Sequence, residues 1–84
     1  AIGAYAFDNC KGIKKMYIFE PVRYIGSGAL RNCKALEYLY LSESILCIEK
    51  DALYGCAKLK DINTVEESYA QSWVEENKAS FPTE

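Results

Sequence analysis

Apolar residues in this chain return at a fixed interval of 23 positions. Ile2, Ile25 and Ile48 fall together, as do Ala6, Ala29 and Ala52, then Phe7, Leu30 and Leu53, then Cys10, Cys33 and Cys56. Ile13, Leu36 and Leu59 follow, with Met16, Leu39 and Ile62 three residues on. The intervening sites vary: Lys14, Glu37 and Lys60 share one position, and Lys15, Tyr38 and Asp61 the next. Fixed apolar sites among free polar ones mean that each copy turns the same side chains inward to stack on their equivalents, since no single copy can bury its apolar face alone. Residues 25–47 form the most regular copy and read as one coil of a solenoid. If consecutive coils pair as parallel strands about 4.8 Å apart, three of them make a core about 15 Å long.

Within each copy the pattern predicts a tight turn, a strand, a polar bend and a second short strand. In the first copy residues 4–9 are too few for a stable helix and predict a single turn, broken by Lys11-Gly12. Residues 13–19 alternate Ile13, Met16 and Ile18 against Lys15, Tyr17 and Phe19, the period of a strand with one face in the core. Pro21 closes that strand by removing a backbone donor, and Val22 and Ile25 point inward around a second one. The central copy predicts a turn at 29–33, a strand at 36–41, a bend at 42–44 and a short strand at 45–48; the third predicts a turn at 51–55 and a strand at 59–63. From Thr64 the period becomes helical. Thr64-Val65-Glu66-Glu67 fits a capping box with acids in the first turn, and Val65, Tyr69 and Trp73, flanked by Ala70 and Val74, line one face. The expectation is an amphipathic helix over residues 64 to about 77, laid on the open end of the last coil, with Pro82 ending any helix by Phe81.

The motifs IGxxAFxxC at residues 2–10, IGxGALxNC at 25–33 and the looser IExDALxGC at 48–56, followed by IKKMYI and LEYLYL, resemble the BspA-type leucine-rich repeat of bacterial and protist surface proteins. The match covers about residues 2–65; Glu49 stands where Gly is expected, Leu30 and Leu53 replace Phe, and the third copy loses the pattern after Ile62. The resemblance implies a right-handed, β-rich leucine-rich-repeat superhelix of about three coils (1–24, 25–47 and 48–64), with residues 65–84 as capping helix and tail. It also implies a non-enzymatic, cell-surface or secreted module that binds or adheres to a host or neighbouring-cell surface protein. The alternative is a structural spacer presenting another domain.

Composition narrows the chemistry. At 84 residues the chain is one small domain, with twelve acids against ten bases. No run of Lys and Arg exceeds Lys14-Lys15, which argues against a nucleic-acid footprint, and no apolar run approaches a membrane span. The first residue already sits inside the repeat, so the expectation is a piece of a longer chain whose signal or anchor lies elsewhere. There is no His, which removes Ser-His and Cys-His catalysis and the commonest metal ligand. Cys10, Cys33 and Cys56 form no C-x-x-C pair and read as buried free thiols acting as small hydrophobes; Cys47 reads as a partly exposed, unreactive thiol. The carboxylates read as solvated surface charge, with Asp8 and Asp51 able to serve local bends. Catalytic, cofactor and metal sites are therefore not expected.

The outward face of the strands carries the functional expectation. In register, Lys15, Tyr38 and Asp61 form one row, Tyr17, Tyr40 and Asn63 a second, and Phe19, Ser42 and Val65 a third. The candidate protein-binding residues are Lys15, Tyr17, Phe19, Tyr38, Tyr40, Asp61 and Asn63, an aromatic patch of the kind enriched at protein interfaces. Equally, Tyr17 and Tyr40 can be a cross-strand pair that only stabilises the sheet. The uncapped first coil predicts self-association through Ile2, Ala6, Phe7 and Ile13. Sedimentation velocity at high concentration checks this: a concentration-dependent dimer is expected, and a strictly monomeric profile counts against it.

Overall fold

The computed structural model describes residues 1–77. Three four-residue strands, β1 (Lys15–Ile18), β3 (Tyr38–Leu41) and β5 (Asp61–Thr64), form one parallel sheet in the order β1-β3-β5. Two short strands, β2 (Tyr24–Ile25) and β4 (Cys47–Ile48), form a second parallel sheet, extended by a bridge from Ile2 to Ile25. One helix, α1 (Tyr69–Asn77), ends the described chain. Lys15 pairs with Tyr38 and Tyr38 with Asp61, so the ladder register equals the 23-residue interval of the sequence. The architecture is thus two small parallel sheets and one short helix, and the described residues do not close into the solenoid expected from the repeat.

The turns stack as the strands do. Phe7 N donates to Ala29 O (2.7 Å) and Asn9 N to Arg31 O (2.8 Å); one copy later Leu30 N donates to Ala52 O (2.9 Å) and Asn32 N to Tyr54 O (2.8 Å). Asn9, Asn32 and Gly55 share one register position, and all three have positive φ (63°, 59° and 82°). Asn and Gly tolerate this left-handed conformation best, which gives a backbone reason for the residue preceding each ladder cysteine. At Gly28 an added Cβ would lie 2.5 Å from the Tyr5 ring, so the aromatic of the first copy rests directly on the glycine of the second.

Inward positions make one continuous core. Ile25, Leu30, Cys33, Leu36, Leu39, Leu41, Ile45, Cys56 and Leu59 are fully buried, and Ile2, Phe7, Cys10, Ile13 and Met16 of the first copy pack half-buried against them. Ala6, expected on the apolar end face, is exposed as a whole residue. The observed strands are shorter than predicted: the ladders begin only after Ile13, Leu36 and Leu59 have turned the chain at the corner, and the second strands are two residues long, β4 starting two residues later than expected after the bend at Ser42 to Ser44. That bend also removes the third outward row. Ser42 is 2 % exposed, its Oγ sharing a hydrogen bond with Ser44 Oγ (2.7 Å), which in turn donates to Val22 O (2.7 Å), and Val65 is half-buried.

The helix begins five residues later than the capping box at Thr64 predicts. Thr64 pairs with Leu41 in the ladder, and Ser68 caps instead: its Oγ accepts from Gln71 N (3.2 Å) while Gln71 Oε1 accepts from Glu67 N (2.9 Å). Two S/T-x-x-E/Q patterns compete here, and the strand takes the first because its backbone groups already have partners. Glu66 and Glu67 consequently lie outside the first helical turn. Ala70 and Trp73 are buried in the common core, Trp73 lining one small apolar cavity with Leu30, Leu39, Ile48 and Leu53, and α1 packs on β4 and β5 as the amphipathic pattern anticipates. Tyr69 adds a specific contact: its hydroxyl accepts from Ile48 N (3.1 Å), satisfying a donor on the outer edge of β4. The stop at Pro82 and the tail through residue 84 lie outside the described residues.

Replacing Ser68 by Ala is expected to lower the unfolding free energy by about 1 kcal/mol. Thr64→Ala removes no cap and is expected to cost less, a ranking that urea denaturation of the two variants checks.

Candidate protein-binding face

Period-two alternation in β1, β3 and β5 sends Met16, Ile18, Leu39, Leu41 and Ile62 to the core and Lys15, Tyr17, Tyr38, Tyr40, Asp61 and Asn63 to solvent. Parallel pairing stacks these as Lys15, Tyr38, Asp61 and as Tyr17, Tyr40, Asn63. Tyr17 is 48 % and Phe19 60 % exposed, while Tyr38 and Tyr40, on the central strand, are half-buried.

The rings meet along diagonals instead of across the register. Tyr17 contacts Tyr38 (centroids 5.4 Å apart, planes tilted 50°), and Phe19 contacts Tyr40 (5.6 Å, 46°). Tyr17 and Phe19 lie stacked along their own strand (5.9 Å, 12°), which joins the two diagonals into one cluster of four rings. Side chains lean along the strand direction, so long ones reach the partner at i, j±2. Asn63 follows the same rule, its Nδ2 donating to Tyr38 Oη (3.1 Å) and leaving the phenol hydrogen free to donate outward. The simple Tyr17–Tyr40 pair is therefore replaced by a larger cluster that includes Phe19, which lies just beyond β1. An open groove lined by Tyr38, Lys60, Asp61, Ile62 and Asn63 runs beside it. Lys15 and Asp61 are exposed at opposite ends of one row, with Tyr38 between them.

Charged groups elsewhere do more than solvate the surface. Arg31 donates to Asp8 through Nε and Nη2 (both 3.1 Å) and stands 5.1 Å from the Tyr5 ring, and this bidentate pair raises the guanidinium pKa further. Asp51 accepts from Ser27 Oγ (2.7 Å) and Gly28 N (3.2 Å) in the preceding copy, and the Ser27 bond lowers its carboxyl pKa. Tyr24 donates to Glu49 (3.1 Å), which raises the phenol. All three contacts link register neighbours or residues one or two positions removed from them, so they tie copy to copy. Among the described residues no group of three or more Cys, Asp or Glu side chains is placed to hold a metal ion. No helix among them is long and apolar enough to cross a membrane.

All four cysteines are free: Cys33 and Cys56 buried, Cys10 half-buried and Cys47 exposed. The buried thiols are more than spacers. Cys33 Sγ donates to Phe7 O and Cys56 Sγ to Leu30 O, both at 3.1 Å, each thiol serving a carbonyl of the copy before it. Burial pushes the Cys56 thiol up to about 11 and raises that of Cys33. The folded state thus keeps these protons after the unfolded chain releases them near the ordinary thiol value of about 8.5. The stabilisation they contribute is intact at neutral pH and is lost as pH climbs from that value through the folded-state pKa. A thiol reagent at neutral pH is expected to modify Cys47 first and Cys33 and Cys56 only on unfolding, as read by peptide mass spectrometry. The thermal midpoint is expected to hold steady near neutral pH and to fall once pH exceeds about 8.5. Equal labelling of all four thiols in the folded protein contradicts this account.

A family model described as the BspA type leucine-rich repeat region (6 copies) matches residues 1–74. No curated protein and no solved structure gives a significant match. Proteins with this repeat are typically surface or secreted proteins, and the repeat is commonly associated with protein interaction or adhesion and is generally non-enzymatic. With a match spanning both ladders and most of α1, the chain belongs to the BspA-type leucine-rich repeat family.

Proposed function

We propose that the chain is a non-enzymatic adhesion or protein-interaction module, and that it engages a host or neighbouring-cell surface protein through the outward face of β1, β3 and β5. The binding residues are Tyr17, Phe19, Tyr38 and Tyr40, flanked by Lys15, Asp61 and Asn63. In this reading the copies 1–24, 25–47 and 48–64 are three coils of a right-handed superhelix, and residues 65–84 close it. The observation that carries the proposal is the four-ring cluster on the solvent side of the sheet. Its two outermost rings remain about half exposed, whereas Ile18, Leu39 and Leu41 on the opposite side of the same strands are buried. Rings of this kind offer large, stiff contact area at small entropic cost, and phenol hydroxyls at their rim add hydrogen bonds without charge. Family membership supports interaction over catalysis.

The same contacts also stabilise the sheet, so the test separates the two roles. Tyr17→Ser/Phe19→Ser removes the most exposed rings, and Tyr38→Ala/Tyr40→Ala removes the central ones. Either double variant is expected to weaken binding to intact cells by about 2 kcal/mol, roughly thirtyfold in Kd, as read by flow cytometry. Unchanged affinity in variants that keep the wild-type circular dichroism spectrum refutes the binding face, and lost thermal stability with unchanged affinity assigns the cluster to the spacer reading.

A further inference from the structure

Six of the ten basic side chains gather at one corner of the molecule: Lys11, Lys14, Lys15, Lys34, Lys58 and Lys60. No two of them except Lys14 and Lys15 are adjacent in sequence; stacking brings them together. Lys11 and Lys34 directly follow Cys10 and Cys33, and Lys58 lies two residues after Cys56, in the turns that feed the three strands of the larger sheet. Lys14 O accepts from Glu37 N (2.8 Å), and Glu37 O accepts from Lys60 N (3.3 Å), which sets Lys14, Glu37 and Lys60 one above another. All six lysines are exposed. Among the described residues the ion pair is Arg31 with Asp8, and the lysines take no part in it. Two carboxylates, Glu37 and Asp61, are interspersed with them, and an open groove lined by Glu37, Ala57, Lys58, Leu59 and Lys60 lies at the third-copy end of the strip.

At the far end of the strands the sign reverses. Glu20, Glu43 and Glu66 share one register position and are all exposed. Lys15 and Glu20 are separated by roughly 16 Å of extended chain, about two screening lengths at physiological ionic strength. A narrow anion on the lysine corner is thus shielded from these glutamates, whereas a broad one reaches them.

We propose that this corner binds a linear sulfated polysaccharide lying along the stacking axis. Lys11 and Lys34 share one register position, and Lys14 and Lys60 share another with Glu37 between them, so cations stand one or two coil steps of about 4.8 Å apart along that axis, which suits a chain bearing closely repeated negative charges. The strip contains no arginine; lysine is a point charge on a flexible stem that meets a tetrahedral oxyanion from many directions, while flat carboxylates are matched best by the arginine fork. Arg31 is held by Asp8, and Arg23 stands beside β2, away from the strip. A duplex or a lipid surface is broad enough to meet the glutamate column, and a single polysaccharide chain is not. The site shares only Lys15 and Asp61 with the proposed protein-binding face, and none of the residues substituted in its test belongs to that face, so its failure leaves the protein-binding reading untouched.

The test is titration of the full chain with heparin at about 0.15 M salt. Lys34→Ala/Lys58→Ala/Lys60→Ala is expected to weaken binding about 100-fold, roughly fivefold per lysine near an anionic surface. Lys11→Gln/Lys14→Gln gives a second, independent variant with a proportionate loss, and Glu20→Gln/Glu43→Gln/Glu66→Gln is expected to change affinity by less than about twofold. Desulfated heparin is expected not to bind. Wild-type affinity in both lysine variants, equal binding of desulfated heparin, or tighter binding to single-stranded DNA, polyglutamate or phosphatidylserine vesicles overturns the proposal. Circular dichroism of each variant confirms that the fold is intact before its affinity is read.

Discussion

Every feature of this molecule depends on the parallel pairing of one copy with the next in a register equal to the repeat length. Lys15 with Tyr38 and Tyr38 with Asp61 state that register in the larger sheet, and Ile25 with Ile48 states it in the smaller one. A slip of one residue would turn Leu39 and Leu41 outward and Tyr38 and Tyr40 into the core, since side chains alternate with a period of two. The apolar columns hold the register against that slip. Polar contacts reinforce it at the corners, from Asp8 with Arg31 and Ser27 with Asp51 to the thiols of Cys33 and Cys56 on the carbonyls of Phe7 and Leu30.

Parallel stacking creates a problem at its ends, where a strand edge offers backbone groups to nothing. At the last copy α1 answers it in two ways. Trp73 and Ala70 cover the apolar layer, and the Tyr69 hydroxyl supplies an acceptor to Ile48 N, as a neighbouring strand would have done with a carbonyl. The helix start is set by this duty. Thr64 is needed in β5, so nucleation waits for Ser68 and Gln71.

The same stacking converts sequence composition into surface pattern. A residue type recurring at one position of the repeat becomes a stripe, so the outer surface is divided into a lysine corner, an aromatic face and a glutamate column. A net charge of −2 conceals this, because it sums all twelve acids and ten bases and says nothing of where the six lysines and the three glutamates stand. Interaction modules built from repeats gain their recognition surfaces in this way: the core sets the spacing, and the free positions carry the chemistry.

The sequence by itself determined the repeat interval, the inward residues, the parallel sheet with its two outward rows and an apolar helix after the last copy, because each follows from periodicity, and periodicity is local. It also contained the reason for Asn9, Asn32 and Gly55, which share a left-handed turn position, although the residue types alone do not announce that φ. Only the tertiary structure decided the rest. It chose Ser68 over Thr64 as the cap, tucked Ser42 into the interior, leaned the tyrosines onto diagonal partners and gathered six lysines from three copies at one corner. These outcomes depend on which of several competing partners lies nearest in space, and run length along the chain does not measure that distance.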